Sequence, residues 1–230
     1  MRKIIRIMAL ALAFLFVFAA CDSAKKTDFT ASENGGTADF YEGIEPEATE
    51  DNNETESKEN AGSAEHKKVK FTMENGNTFV IELYPEYAPK TVENFVKLVS
   101  EGFYEGLTFH RVVDGFMAQG GDPEGTGSGG SKDKIYGEFA SNGYKDNKLS
   151  HTRGVVSMAR RSDSMNSASS QFFICYDDAT FLDGDYASFG VVIEGMETVD
   201  AFLDVERTIG SDRALSRPVT PIVIEKAEVI

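Results

Sequence analysis

From residue 67 to the C-terminus the apolar residues arrive in short bursts, each cut off within a few positions by Gly, Asp, Asn or Ser. Bursts that short do not suit helices of ordinary length, so most of the regular elements are expected to be strands. Val69, Phe71 and Met73 alternate, Asn75-Gly76-Asn77 interrupts, and Phe79, Ile81 and Leu83 alternate again, which predicts a hairpin. A two-residue Asn75-Gly76 loop would set the two apolar triplets on opposite faces. A three-residue loop pairing Met73 with Phe79 keeps them together and is the expected register. Leu107 to Phe109, Phe116 to Gln119, Val155 to Ala159, Phe172 to Cys175, Phe189 to Ile193 and Val219 to Val229 are the further expected strands. Only two segments have helical spacing. Pro89 opens one, with Val92, Phe95, Val96 and Val99 on a single face and Gly102 closing it; Met196, Val199, Phe202 and Leu203 mark the other. Many short strands, two helices and no internal repeat point to a mainly β fold, a closed antiparallel barrel. Parallel βαβ units would need more helices than the pattern offers.

The chain before residue 67 is of a different kind. Met1 to Arg6 carries three basic residues and Ile7 to Ala20 is wholly apolar, which reads as an export signal over residues 1–20. At 14 residues the apolar run is shorter than the roughly 20 that a spanning helix needs. Phe18-Ala19-Ala20-Cys21 resembles a bacterial lipoprotein box, although Phe18 stands where Leu is usual; lipidation of Cys21 is therefore expected. Residues 22–65 hold 13 Asp and Glu against 3 Lys and few apolar side chains, a composition that cannot bury enough surface to offset ordering entropy. Residues 21–66 are read as an acidic disordered tether with an r.m.s. span of roughly 35 to 40 Å. The expected location is outside the cytoplasm, lipid-anchored on the outer face of the cytoplasmic membrane or on the periplasmic side of a membrane. With Cys21 acylated, Cys175 has no partner for a disulfide.

The net charge of −15 argues against nucleic acid as a partner, because that binding rests on Lys and Arg neutralising phosphates. The Gly-rich run from Gly120 to Gly130 fails the phosphate-loop pattern: Gly130-Ser131-Lys132 reverses the required Lys-Ser order and no helix follows. It reads instead as a flexible loop beside a groove. His66, His110 and His151 are scattered and no metal-ligand spacing exists, so no metal and no cofactor are expected. His110 reads as a hydrogen-bonded structural histidine. Neither a G-x-S-x-G elbow nor a His–acid pair is evident for a serine nucleophile. Taken singly, Arg111 reads as a surface ion-pair residue and Phe172-Phe173 as plain core.

In order, however, Phe109-His110-Arg111, Gly115 to Asp122, Ile135 to Phe139, Ser157-Met158-Ala159, Ser170 to Ile174, Leu182-Asp183-Gly184 and Phe189 to Val192 resemble a bacterial-type cyclophilin, a peptidyl-prolyl cis-trans isomerase, over most of residues 67–230. The resemblance implies an eight-stranded antiparallel barrel capped by two helices, with the active groove on its outer face. It implies that Arg111 and Gln119 are catalytic and that Phe116, Met117, Ala159, Gln171, Phe173, Phe181, Leu182 and Tyr186 bind substrate. It also implies proline-containing polypeptides as substrates, with the chain acting as a monomer. Phe181 stands where many eukaryotic members have Trp and offers no N–H, so tight cyclosporin binding is not expected. Tyr186 replaces a groove His, and the stretch from Arg160 to Ser169 is longer than in those members, with Asn166 to Ala168 as candidates to meet the substrate backbone. The competing function is a surface lipoprotein that binds or chaperones peptides in the same groove without turnover.

Overall fold

The computed structural model describes residues 66 to 230; the expected export signal, Cys21 and the expected acidic tether apart from its last residue, His66, lie outside the described residues. The domain is built around one curled eight-stranded sheet. Its strands are β1 (Lys68–Met73), β2 (Thr78–Leu83), β3 (Thr108–Val113), β4 (Met117–Asp122), β5 (Val155–Met158), β6 (Phe172–Cys175), β7 (Ser188–Glu194) and β10 (Ile224–Val229). They are ordered β10-β1-β2-β7-β5-β6-β4-β3, antiparallel throughout. Helix α1 (Pro89–Ser100) buries Val92, Phe95, Leu98 and Val99 against this sheet, and the short α2 (Met196–Asp200) runs on into a 3₁₀ turn, Ala201–Asp204.

The barrel is not closed, contrary to the sequence expectation. Between β3 and β10 there is one bridge, Thr108 to Val223, with Phe109 N donating to Ile222 O at 3.0 Å and Ile224 N to Leu107 O at 2.9 Å. The expected strand from Val219 forms only from Ile224, because Pro221 has no N–H to give to a ladder. Farther along, β3 lies beside β9 (Leu215–Pro218), which pairs with β8 (Arg207–Ile209) in a separate hairpin absent from the sequence reading. The result is a half-barrel with its seam partly covered by that hairpin.

The first hairpin has the expected loop length but sits one residue earlier. Phe71 pairs with Phe79 and Val69 with Ile81, and Met73 N donates to Asn77 O at 2.8 Å around Glu74-Asn75-Gly76. Gly76 takes the last loop position at φ 83°, the left-handed residue that a three-residue loop needs before the ladder resumes. The two triplets still share a face, and the Phe71 and Phe79 rings stack at 4.9 Å.

That face is the core. Phe71, Phe79, Phe95, Tyr104, Phe109, Phe172 and Phe189 are fully buried there, packed ring against ring, as with Phe95 on Phe172 at 5.4 Å and Phe109 on Phe172 at 5.7 Å. The opposite face of β4 and β6 carries a second, smaller cluster of Met117, Phe173, Cys175, Ala179 and Leu182, edged by Val113, Phe116, Ala159 and Tyr186. Phe172 and Phe173 are neighbours in sequence and occupy different clusters because alternate strand residues point to opposite faces.

Strict alternation would send Arg111 inward with Phe109. A bulge prevents this: Phe109 pairs with Gly120 and Arg111 with Gln119, so Phe109 and His110 together oppose one residue of β4. Phe109 and Val112 therefore both enter the core while Arg111 turns out to the second face. His110 absorbs the irregularity. Contrary to the expectation of a hydrogen-bonded residue, both its ring nitrogens are shielded from solvent without a partner among the described residues.

Two buried polar networks fix the loops around the sheet. The first closes the N-terminus of α1, whose N-cap Ala88 offers no side-chain acceptor. Glu138, fully buried, reaches in from the segment between β4 and β5 instead: its carboxylate accepts from Lys90 N at 3.0 Å, Thr91 N at 2.8 Å and Thr91 Oγ1 at 2.7 Å. It thereby satisfies otherwise orphaned donors at the positive end of the helix dipole. The second is a His–acid pair that sequence reading did not find. His151 Nδ1 lies 2.7 Å from Asp183 Oδ1, and Nε2 lies 2.9 Å from Ser157 Oγ. The order is that of a hydrolase triad, but Ser157 is wholly buried in β5 and no substrate can reach it. The network is a support: it ties the turn carrying Leu182 to β5, and the His151 ring lies nearly parallel to Phe173 at 6.0 Å.

Two measurements follow. Glu138→Ala leaves two helix N–H groups and one hydroxyl unsatisfied, and is expected to lower unfolding stability by about 2–4 kcal/mol in urea denaturation. Burial holds the His110 and His151 rings below the ordinary histidine range, and Asp183 offsets only part of that for His151. The unfolded chain then binds protons that the folded chain refuses, so stability is full above about pH 6.5 and is lost as pH falls through the lowered values. The urea midpoint is expected to drop between pH 7 and pH 5; an unchanged midpoint would show that both rings charge freely in the folded chain.

Candidate active site

The second cluster is open to solvent on one side, where Arg111, Phe116, Met117, Gln119, Ala159, Phe173, Leu182 and Tyr186 line a depression of about 270 Å³. Their placement follows from register. Arg111 is opposite Gln119, and Gln119 is opposite Phe173, so three adjacent strands deliver a cation, an amide and an aromatic ring in one transverse row. One pleat along, Met117 is opposite Cys175. Phe116 comes from the β3–β4 turn and Leu182 from the 3₁₀ turn Thr180–Leu182 anchored by Asp183. The floor is apolar and buried, with Met117, Phe173 and Leu182 each at most 9% exposed.

A continuous polar chain runs along the edge of this floor. Arg111 Nη1 donates to Gln119 Oε1 at 3.3 Å, Gln119 Nε2 to Gln171 Oε1 at 2.8 Å, and Gln171 Nε2 to Gly129 O at 2.7 Å. At its other end Arg111 Nε donates to Asp212 Oδ2 at 2.6 Å. The guanidinium also lies 5.9 Å from the Phe116 ring centre, which restricts its plane.

The residues expected to bind substrate are thus mostly brought together, with exceptions. Gln171 touches the depression only through Gln119 and lines a neighbouring one, of about 350 Å³, with Lys134, Arg160, Arg161 and Ser167. Phe181 is 71% exposed and rests on Phe116 at 5.7 Å, outside the lining. Asn166 and Ala168 are not at the groove: Asn166 Oδ1 accepts from Gly137 N and Asn142 Nδ2, and Ala168 is in the core. The extra residues of that loop fold back onto the protein. Arg160, missed in the sequence, lines the site instead, its guanidinium 4.7 Å from the Tyr186 ring centre and 5.2 Å from that of Phe139. Asp212 was also missed, since it is 101 residues from Arg111 in a stretch with no pattern.

The Gly-rich run is a cradle after all, for an anion of the protein's own. Asp122, fully buried, accepts from Glu124 N at 2.9 Å, Thr126 N at 3.0 Å and Gly127 N at 2.6 Å. Burial alone would raise its carboxyl, but the backbone donors, Gly129 among them, outweigh it and hold the group below the usual carboxylate range. A Cβ at Gly129 would overlap that carboxylate. The loop is therefore wound tightly rather than slack, and its N–H groups are spent internally. Cys175, under the floor, is free, and burial pushes its thiol up to about 12, so it offers no nucleophile. What the site can do is hold an uncharged ring against apolar side chains, with hydrogen-bond donors fixed along one edge.

Residues 68–229 match the family described as Cyclophilin type peptidyl-prolyl cis-trans isomerase/CLD. Peptidyl-prolyl cis-trans isomerase B of Bacillus subtilis is 46% identical over 127 residues, 55% of this chain and 84% of that protein. Peptidyl-prolyl cis-trans isomerase-like 2 of Neurospora crassa is 43% identical over 143 residues, 62% of this chain but only 23% of that longer protein. The crystal structure of a Cryptosporidium parvum cyclophilin type peptidyl-prolyl cis-trans isomerase superposes with a TM-score of 0.61 at 32% identity, covering 72% of this chain and 98% of the other. The outward Arg111, the apolar floor beside it and the match over nearly all of the described domain lead to one conclusion: the chain belongs to the cyclophilin-type peptidyl-prolyl cis-trans isomerase family.

Proposed function

We propose that this chain accelerates rotation about X-Pro bonds in exported polypeptides, with Arg111 stabilising the twisted amide. The observation that carries the reading is the Arg111 guanidinium fixed at the rim of a depression whose floor is Phe116, Met117, Phe173 and Leu182. Resonance sets a barrier of about 18–20 kcal/mol to peptide rotation, and X-Pro bonds turn over in tens to hundreds of seconds unaided. No bond is broken, so the reaction needs neither nucleophile nor proton relay. It needs the proline ring held while the flanking chain turns.

The apolar floor supplies the hold. As the amide twists, the nitrogen lone pair leaves conjugation and becomes an acceptor, which it is not in either planar state. A guanidinium donor at that edge interacts more strongly with the twisted amide than with the ground states, and only such a difference raises the rate. An acceleration of about 10⁵ corresponds to roughly 7 kcal/mol of that preference. Arginine suits the task because it stays charged and presents its donors in a rigid plane. Gln119 receives Arg111 on Oε1 and keeps one amide N–H for the peptide backbone, while Tyr186 and Ala159 wall the far side.

The expected location is the exported, membrane-facing one, with lipid on Cys21 as the anchor and the acidic segment as its leash; the basic, apolar and Ala19-Ala20-Cys21 order of the N-terminus supports this. Mass spectrometry of the mature N-terminus tests it: a diacylglyceryl mass on Cys21 is expected, and an intact Met1 would refute export. For catalysis, Arg111→Ala is expected to lower kcat/KM on an alanyl-prolyl peptide by about 100-fold, or ~3 kcal/mol, with little change in thermal stability. A variant as fast as the parent would overturn the mechanism, and a parent that does not accelerate the conversion would favour peptide binding without turnover.

A further inference from the structure

The Arg111–Asp212 contact is more constrained than a surface ion pair. Both side chains are partly buried, 31% and 21% exposed, and the distance is 2.6 Å. Asp212 has no freedom to adapt to Arg111. Its other oxygen, Oδ1, accepts from Ala214 N at 3.0 Å and from Ser216 Oγ at 2.7 Å, and Ser216 is itself buried in β9. The β8–β9 tip is closed by Gly210 N to Ala214 O at 2.9 Å and Arg213 N to Gly210 O at 3.0 Å. This geometry drives Arg213 to φ 61°, the one left-handed residue other than glycine among the described residues. A non-glycine residue there carries backbone strain, and such strain gathers where the surrounding structure holds a functional group in place.

The guanidinium is thus held from two sides. Asp212 takes Nε, and Gln119 Oε1 and Met117 Sδ take Nη1. Nη2 is the guanidinium nitrogen left without a hydrogen-bonded protein partner among the described residues. A planar group held at Nε on one side and at Nη1 on the other leaves its third nitrogen, Nη2, a single direction in which to point. We propose that Asp212 is a positioning residue for the isomerase reaction: the β8–β9 hairpin serves to present its carboxylate to Arg111 Nε, so that Nη2 alone is offered to the twisted amide. This rests on the role assigned to Arg111 above. Asp212 touches no substrate; it removes rotamers from the group that does, and so acts on the rate rather than on affinity.

The test uses the purified full chain, with kcat and KM measured on an alanyl-prolyl peptide and the Arg111 Nε–Hε signal followed by ¹⁵N NMR. Asp212→Ala is expected to lower kcat by about tenfold with KM within about twofold, because a misplaced catalytic group costs turnover more than binding. Asp212→Asn keeps an acceptor and is expected to recover part of the loss. Solvent-exchange protection of the Arg111 Nε proton is expected in the parent, reduced in Asp212→Asn and absent in Asp212→Ala. In an Arg111→Lys background, which has no Nε edge, removing Asp212 is expected to change the rate by less than about twofold. An unchanged or raised kcat in Asp212→Ala would overturn the proposal, a rise identifying Asp212 as a competitor for the guanidinium. An equal loss in the Arg111→Lys background would overturn it too, since the effect would then come from the hairpin fold. If Arg111→Ala loses activity while Asp212→Ala does not, the positioning role fails and the role of Arg111 stands.

Discussion

One irregular residue decides which way the chemistry faces. Without the bulge at His110, the period of β3 would bury a guanidinium among the phenylalanines, where a lone charge is not tolerated. With it, Phe109 and Val112 complete the core while Arg111 joins the transverse row with Gln119 and Phe173. Everything else at the site assumes that turn-out. Gln119 and Gln171 extend the row toward the Gly-rich loop, and Asp212 approaches from the opposite side. The cost is a histidine whose ring nitrogens are shielded from water and have no hydrogen-bond partner among the described residues, a defect accepted at the position where the strand is forced out of register.

The loops follow a common rule: each is held by an acid that accepts from backbone N–H groups, buried in the case of Asp122 and Glu138 and solvent-exposed in the case of Asp183. Asp122 winds the Gly-rich run, Glu138 caps α1 from 47 residues away, and Asp183 anchors the turn that supplies Leu182. None of the three faces the substrate side of the groove. In a chain so rich in acidic residues, these carboxylates do internal work that other proteins assign to serine or threonine caps. The rim of the groove is therefore stiffer than its glycine content suggests.

The division between what was legible in the sequence and what was not runs along the range of the interactions. Strand and helix positions such as Val92, Phe95 and Val99 on α1 were readable because burial imposes a period over a few residues. The floor residues Met117, Phe173 and Leu182 were readable only through family resemblance, since an apolar groove and an apolar core have the same composition. Illegible in principle were pairings between distant segments: Asp212 with Arg111, Glu138 with α1, His151 with Asp183 and Ser157. A single sequence carries no signal that two polar residues a hundred positions apart share a hydrogen bond. The open seam between β3 and β10 was missed for a related reason, because strand count does not say whether the last strand reaches the first. Pro221 was the one local clue.

The two apolar clusters on opposite faces of β4 and β6 share a backbone, and the site residues on these strands are next to core residues in sequence. Phe173 lies between Phe172 and Ile174, and Met117 precedes Ala118. A substitution that retunes the groove floor is therefore also a perturbation of the strand that closes the core, while the hairpin tip and the residues around Arg160 can change with the core untouched. Divergence of substrate preference among chains of this architecture should concentrate in rim loops. The floor would remain an inheritance that folding itself protects.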